Sequence, residues 1–411
     1  MSTPDLEALE KSDSLADYRT AFDLPAGKVY LDGNSLGALP HVVTERVGEV
    51  VRSQWGEDLI ASWNTHEWID LPRAVGEKIA PVVGAAPGQV ICCDSISINV
   101  FKLLATALQL RPGKPVILSE AGNFPTDLYV AEGLQNLVGE GRCELRTVGA
   151  DHLLEALDDE VAVLMLTQVN FRTGAMHDMA ALTRAAHEAG ALVLWDLAHS
   201  AGVMPIYLDA LNVDMAVGCG YKFLNGGPGA PAFLYLAQRH QNLAQQPLTG
   251  WMGHRRAFDF DPTYESAPGV EQYLCGTPGI IGLSALDAAL MLFENLDLQS
   301  VRDKSIALTG AFIDGVNRRQ PLSPFDCLTP KDPGRRGSQV SLVHESAYAI
   351  AQALIERGVI VDFRAPDIVR FGFAPLYNSF TDVDHALTVL EGVLSSGQYL
   401  EPRYLEQARV T

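Results

Sequence analysis

Lys222 is the one cationic residue of the run Val217-Gly218-Cys219-Gly220-Tyr221-Lys222-Phe223-Leu224-Asn225-Gly226-Gly227-Pro228-Gly229, and it follows by 26 residues the aspartate of Leu194-Trp195-Asp196-Leu197-Ala198-His199-Ser200. The glycines predict a tight turn and the apolar flanks predict little water. An ammonium in such a place, with no carboxylate close to it, tends to release its proton. A neutral amine held on a turn can then add to an aldehyde and form a Schiff base.

Pyridoxal phosphate is the aldehyde cofactor this suits. Besides the lysine it needs an acid under the pyridine nitrogen, an anion cup for the phosphate and a sandwich for the ring. Asp196 ends a strongly apolar run, where side chains of an open parallel sheet reach a ligand crevice, although the same residue could simply cap a following helix. His199 is spaced one helical turn on, within reach of the same group, or is an ordinary histidine. In Cys92-Cys93-Asp94-Ser95-Ile96-Ser97-Ile98-Asn99-Val100, Ser97 lies just before the apolar pattern 101–110, as a phosphate cup at a helix start or as a plain cap. Phe124 of Asn123-Phe124-Pro125-Thr126-Asp127 suits the ring face and equally a core position, and Asp127 is expected to cap a helix over 128–137. Tyr221 is a candidate proton relay or a packed tyrosine. Arg370, alone in Ile368-Val369-Arg370-Phe371-Gly372-Phe373, suits a carboxylate grip or an internal ion pair.

The elements that must hold these residues follow from the hydrophobic pattern. Short Val/Ile/Leu runs alternate with helical spacing between about 80 and 240, which predicts a parallel sheet covered on both faces. Strands are expected at 115–119, 161–167, 191–195, 213–217 and 232–236. A helix is expected over 178–189, with Asp178 in its first turn and Gly190 as its stop. The proline-rich stretch 320–338 reads as a crossing into a smaller α+β lobe. The domain reading is an N-terminal arm over 1–45, a large cofactor domain over 46–305 and a small C-terminal domain over 306–411.

The chain has 411 residues, 47% hydrophobic and 19% charged, enough for a large buried core. Fifty acidic against thirty basic residues give a net charge of -20, which disfavours nucleic acid and anionic membrane as partners. The acidic, polar start and the lack of a long uncharged apolar run predict a cytoplasmic protein. Six cysteines without paired spacing predict no metal site and no disulfide framework.

Taken together, these motifs resemble the kynureninase family of the fold type I, aspartate-aminotransferase-like superfamily. Tyr30-Leu31-Asp32-Gly33-Asn34-Ser35-Leu36-Gly37 carries the resemblance at the start. Gly250-Trp251-Met252-Gly253-His254 and Ala374-Pro375-Leu376-Tyr377-Asn378-Ser379-Phe380 carry it downstream. It implies an α/β fold with a mainly parallel seven-stranded sheet and a small α+β domain. It makes Lys222 the Schiff-base lysine and gives cofactor contacts to Ile96, Ser97, Phe124, Asp127, Thr167, Asp196, His199, Tyr221, Trp251 and Thr277. Arg370 would hold the substrate carboxylate and Trp63, in Ser62-Trp63-Asn64, its aromatic ring. A homodimer with shared sites is implied, with Trp251 and Thr277 reaching the other chain's phosphate. At the Thr277 position other members carry asparagine.

The activity implied is hydrolysis of L-kynurenine, or its 3-hydroxy form, to anthranilate or its 3-hydroxy form and L-alanine, a step of tryptophan catabolism. Cysteine desulfurase or selenocysteine lyase activity is the nearest rival, with Cys327 as its candidate nucleophile. An aminotransferase and a non-catalytic cofactor-binding protein are the others.

Overall fold

A computed structural model describes residues 6–139 and 141–406. It divides into two compact units. Of the described residues, the first comprises 6–42, Val169–Met176 and 296–406, and the second comprises Val43–Gln168 and His177–Asn295 without residue 140.

The larger unit is built on seven strands: β1 (Val90–Cys92), β2 (Val116–Glu120), β3 (Glu144–Val148), β4 (Val161–Thr167), β5 (Leu192–Asp196), β6 (Met215–Cys219) and β7 (Ala232–Leu236). Their order is β1-β7-β6-β5-β4-β2-β3, and β7 alone runs against its neighbours. All residues of β4, β5, β6 and β7 are buried. Strands covered on both faces bury every side chain, so they read as unbroken apolar runs rather than alternating ones. Helices α1 (Ile96–Leu110), α2 (Pro125–Val138) and α3 (Met179–Glu188) connect them.

Three helix starts differ from the sequence reading. α1 begins at Ile96 and is capped by Ser95, whose hydroxyl accepts the amide of Ile98 at 3.5 Å, so Ser97 lies in the first turn and is not the cap. α2 begins at Pro125, because proline's fixed φ suits a first helical position. Asp127 therefore stands inside the first turn and does not cap it. Asp178 is the N-cap of α3, accepting the amide of Ala181 at 2.9 Å. At the opposite end of the sheet, Asp214 accepts from His187 (2.8 Å), His240 (2.7 Å), Arg239 (2.6 Å) and the amide of Val193 (2.9 Å), tying α3 and the chain after β7 to the base of β6.

The smaller unit packs α4 (Leu298–Arg318), α5 (Ala347–Glu356) and α6 (Phe380–Ser396) with a four-stranded antiparallel sheet. Its strands are β8 (Asp326–Cys327), β9 (Gln339–Val343), β10 (Asp362–Arg364) and β11 (Ile368–Gly372), in the order β10-β11-β9-β8. Val29–Tyr30 pairs in parallel with Val359–Ile360. The core centres on Phe312 of α4 and Phe371 of β11, whose rings lie 4.5 Å apart. Because α4 supplies Leu308, Phe312 and Val316 to this core, the chain changes units at Asn295/Leu296. The stretch 320–338 lies inside the small unit, and the chain also changes units at Val42/Val43, Gln168/Val169 and Met176/His177. Among the described residues, no helix is long and apolar enough to cross a membrane.

Candidate active site

The carboxyl ends of β4, β5 and β6 lie side by side, with Thr167 in register with Asp196 and Asp196 with Val217. This is the end of an open α/β sheet at which ligands bind. Asp196 is buried, and its Oδ1 accepts the amide of Ala198 at 2.7 Å, so the chain turns away and leaves the carboxylate at the strand tip. Asp127 joins it from the first turn of α2. Both Asp127 carboxylate oxygens are buried and neither has a hydrogen-bond partner of regular geometry, the nearest polar groups being Asp196 and Thr167. Burial first, and then the charge of Asp196, push the Asp127 carboxyl well above its usual range, and burial raises Asp196 as well.

Lys222 stands in the turn between β6 and β7. That turn is closed by the Gly226 amide on the Gly220 carbonyl (2.9 Å), the Gly220 amide on the Pro231 carbonyl (3.0 Å) and the Asn225 amide on the Lys222 carbonyl (2.9 Å). Glycine is required here by close approach, since a Cβ on Gly220 would lie 2.6 Å from the Pro231 carbonyl oxygen and one on Gly226 2.8 Å from that of Gly220. Asn225 adopts the left-handed conformation (φ 57°), a region where asparagine costs less than most residues, and its Nδ2 donates to the Phe223 carbonyl at 2.8 Å. The lysine is not apart from carboxylates, as the local run suggested. Its charge acts on both Asp127 and Asp196 and draws their proton affinities down. Those acids come from other strand ends, so the sequence around the lysine could not reveal them.

Tyr221 lies beside it, with the Lys222 Nζ 5.9 Å from its ring centre. Burial, then Cys219 and Asp196, raise the phenol, so it stays protonated at neutral pH. His199 is buried three residues after Asp196. Ile96 and Ser97 form the first turn of α1, where backbone amides lack partners within the helix. The lead-in to that turn is joined to β7 by the Ala232 amide on the Asp94 carbonyl at 3.0 Å. Below it, the buried Lys102 Nζ meets Asp94 Oδ2 at 2.5 Å and fixes a residue of positive φ.

The reading from sequence passed over Asn123. Its Oδ1 accepts from the amides of Phe124 (2.8 Å) and Thr167 (3.2 Å) and from the Thr167 hydroxyl, while its Nδ2 donates to Ser119 at 3.1 Å. One amide side chain thus sets Phe124, Thr167 and the start of α2 together. A polar residue three positions after a strand and directly before an aromatic-proline helix start was the available signal.

Other candidates have neighbours of their own. Trp251 packs against Phe258 and Phe260, Thr277 is exposed in the loop before Ile280, and Trp63 meets Trp68 edge-on. Among the described residues no hydrogen bond or ring contact joins these three to Asp127, Asp196 or Lys222. Arg370 belongs to the small unit, where its Nη2 pairs with Asp362 Oδ2 at 2.6 Å. Cys327 sits in β8 with its thiol on the Thr329 carbonyl, and burial raises it, the opposite of an activated nucleophile.

The arrangement passes a direct test for pyridoxal phosphate. Two adjoining carboxyls that burial holds above their usual range would ionise more readily with a cation beside them. A protonated pyridine nitrogen would supply it, with Lys222 on the adjoining turn for the aldehyde and the α1 amides for the phosphate.

Comparison with known proteins agrees. Residues 301–390 match the family described as the kynureninase C-terminal domain. The kynureninase of Burkholderia pseudomallei is 49% identical over 410 residues, 98% of each chain. That of Pseudomonas fluorescens is 45% identical over 411 residues, 99% of each. A solved cysteine desulfurase from Thermococcus onnurineus superposes with a TM-score of 0.76 at 19% identity, covering 96% of this chain and 99% of its own, a likeness of fold alone. The desulfurase-like architecture thus carries a nearly full-length likeness to enzymes of another kind, and on that likeness this chain belongs to the kynureninase family.

Proposed function

We propose that the chain hydrolyses L-kynurenine to anthranilate and L-alanine, accepting 3-hydroxykynurenine as well, with pyridoxal 5'-phosphate as its cofactor. The observation that carries the reading is the buried Asp127 beside Asp196 within electrostatic reach of Lys222, in a chain of this family. When bound, the cofactor offers a carbonyl for the substrate amine and a sink for the electrons released at the substrate α-carbon.

The chain's own residues divide the remaining tasks. Asp196 keeps a proton on the pyridine nitrogen. Asp127 adds a second acid at that end, and Phe124, Thr167 and His199 line the ring. Ile96, Ser97 and Tyr221 hold the phosphate. The Lys222 amine removes the proton at Cα and can return one to the product. The water that adds to the γ-carbonyl loses its proton to a base in this cluster, and the bond between Cβ and Cγ then breaks. Tyr221, protonated at neutral pH, holds a hydroxyl proton near that step. Arg370 is assigned to the α-carboxylate and Trp63 to the aromatic ring.

The acting form is a cytoplasmic homodimer in which Trp251 and Thr277 serve the neighbouring chain's phosphate. Six unpaired cysteines suit a reducing compartment. The test is anthranilate fluorescence after L-kynurenine is added to cofactor-loaded protein, beside a parallel run with 3-hydroxykynurenine. Absence of product from both substrates refutes the reading.

A further inference from the structure

We propose that Asp362 is the positioning residue of Arg370, setting the plane in which its guanidinium meets the substrate carboxylate. This rests on the assignment of Arg370 above. Asp362 and Arg370 stand directly opposite each other in β10 and β11, so their side chains share a face of the small sheet. Arg370 is 1% exposed, and its donors are distributed among three segments. Nη1 donates to the Phe171 carbonyl at 2.9 Å. Nη2 donates to Ser35 Oγ at 2.7 Å and to Asp362 Oδ2 at 2.6 Å. Nε makes no hydrogen bond. A guanidinium held at both terminal nitrogens cannot rotate, so Nε–H and the second Nη1–H keep fixed directions. A carboxylate that is to meet these donors depends on those directions.

Asp362 holds the plane without cancelling the charge. Its Oδ2 is shared by Arg370, by Arg364 at 2.6 Å and by the Ser35 hydroxyl at 2.9 Å, so one carboxylate is spread over two arginines. The other acid of the cluster, Asp32, has one oxygen with no hydrogen bond, and its charge acts on Arg370 and Arg364. Without Asp362, Asp32 is the remaining acid whose charge acts on Arg370, and the bond that fixes the guanidinium plane is gone.

Steady-state kinetics with L-kynurenine on cofactor-loaded Asp362→Asn, Asp362→Glu and Arg370→Lys, and on the Asp362→Asn/Arg370→Lys double variant, test this. Loss of one charged hydrogen bond predicts that Asp362→Asn raises KM about tenfold while kcat stays within about twofold. The visible spectrum of the bound cofactor stays unchanged. Asp362→Glu recovers part of the loss, and the double variant has the KM of Arg370→Lys alone. An unchanged KM in Asp362→Asn, a lowered one, or additive effects in the double variant overturns the proposal. Should Asp362→Asn melt below the assay temperature, Asp362→Glu carries the test, since it keeps the charge but shifts the plane and must raise KM. Failure of the parent protein to make anthranilate removes the functional reading itself. Normal parent turnover with indifferent Asp362 variants removes this assignment alone.

Discussion

Asp127 and Asp196 form a pair of buried carboxylates, 1% and 4% exposed, brought together from the first turn of α2 and the last residue of β5. Each acts on the other, and the charge of Lys222 offsets both.

This pair gives the cofactor-free protein a defined pH response. Both carboxyls bind protons more tightly folded than unfolded, through burial and, for Asp127, through Asp196. The folded chain therefore carries more protons above the ordinary carboxyl range, and its stability falls as pH rises from about 4. Asp127→Asn removes much of that slope. Its cofactor-free melting temperature at pH 8 should exceed the parent's by about 1–2 °C, equivalent to roughly 1 kcal/mol in a chain of this length. A lower melting temperature would show that Asp127 is not the strained partner.

Lys222→Ala should fold, bind pyridoxal phosphate weakly and lose the absorbance of lysine-linked cofactor. Loss of the group that moves the Cα proton predicts anthranilate formation slower by about 10²–10⁴-fold. Borohydride reduction followed by peptide mapping checks the site in the parent protein, and a label on another lysine rejects it.

Asp214 has the opposite linkage. Its two histidines and Arg239 hold the carboxyl far below its usual range against the cost of burial. The stability it contributes is present above the unfolded carboxyl value and is lost as pH falls below about 4. Asp214→Asn removes the buried anion shared by His187, His240 and Arg239 and should cost about 1–3 kcal/mol at pH 7, since Arg239 and His187 keep access to water. The gap between variant and parent should narrow in acid. Urea unfolding at pH 7 and pH 3.5 measures both, and a constant gap contradicts the assignment.

Cys327→Ala should leave kynurenine turnover within about twofold, because surface-proximal substitutions away from a reacting group shift free energies by only about 0.5 kcal/mol. Collapse of turnover with this substitution would revive the desulfurase reading.

Much of the large unit was legible because doubly covered strands are continuous apolar runs. The strands 161–167 and 232–236 were read with their observed bounds. The short strand Val90–Cys92 and the half-exposed Glu144–Val148 carry too few apolar residues to stand out. Helix starts were misread at Ile96 and Pro125, where polar first turns precede the apolar spacing. Lys222 and Asp196 were legible from their settings. The company of Asp127, the hub at Asn123 and the pinning of Arg370 by Asp362 depend on strand order and register, which no local stretch records.

The discontinuity of the small unit has a consequence for synthesis. Val29 and Leu31 belong to a core whose other members include Val359 and Phe371, and the strand partner of Val29 is Val359 itself. At roughly 5–20 residues per second, the ribosome needs some tens of seconds to deliver those partners. Through that interval the amino-terminal apolar segment waits without its docking surface, so chaperone occupancy of the nascent chain should concentrate there.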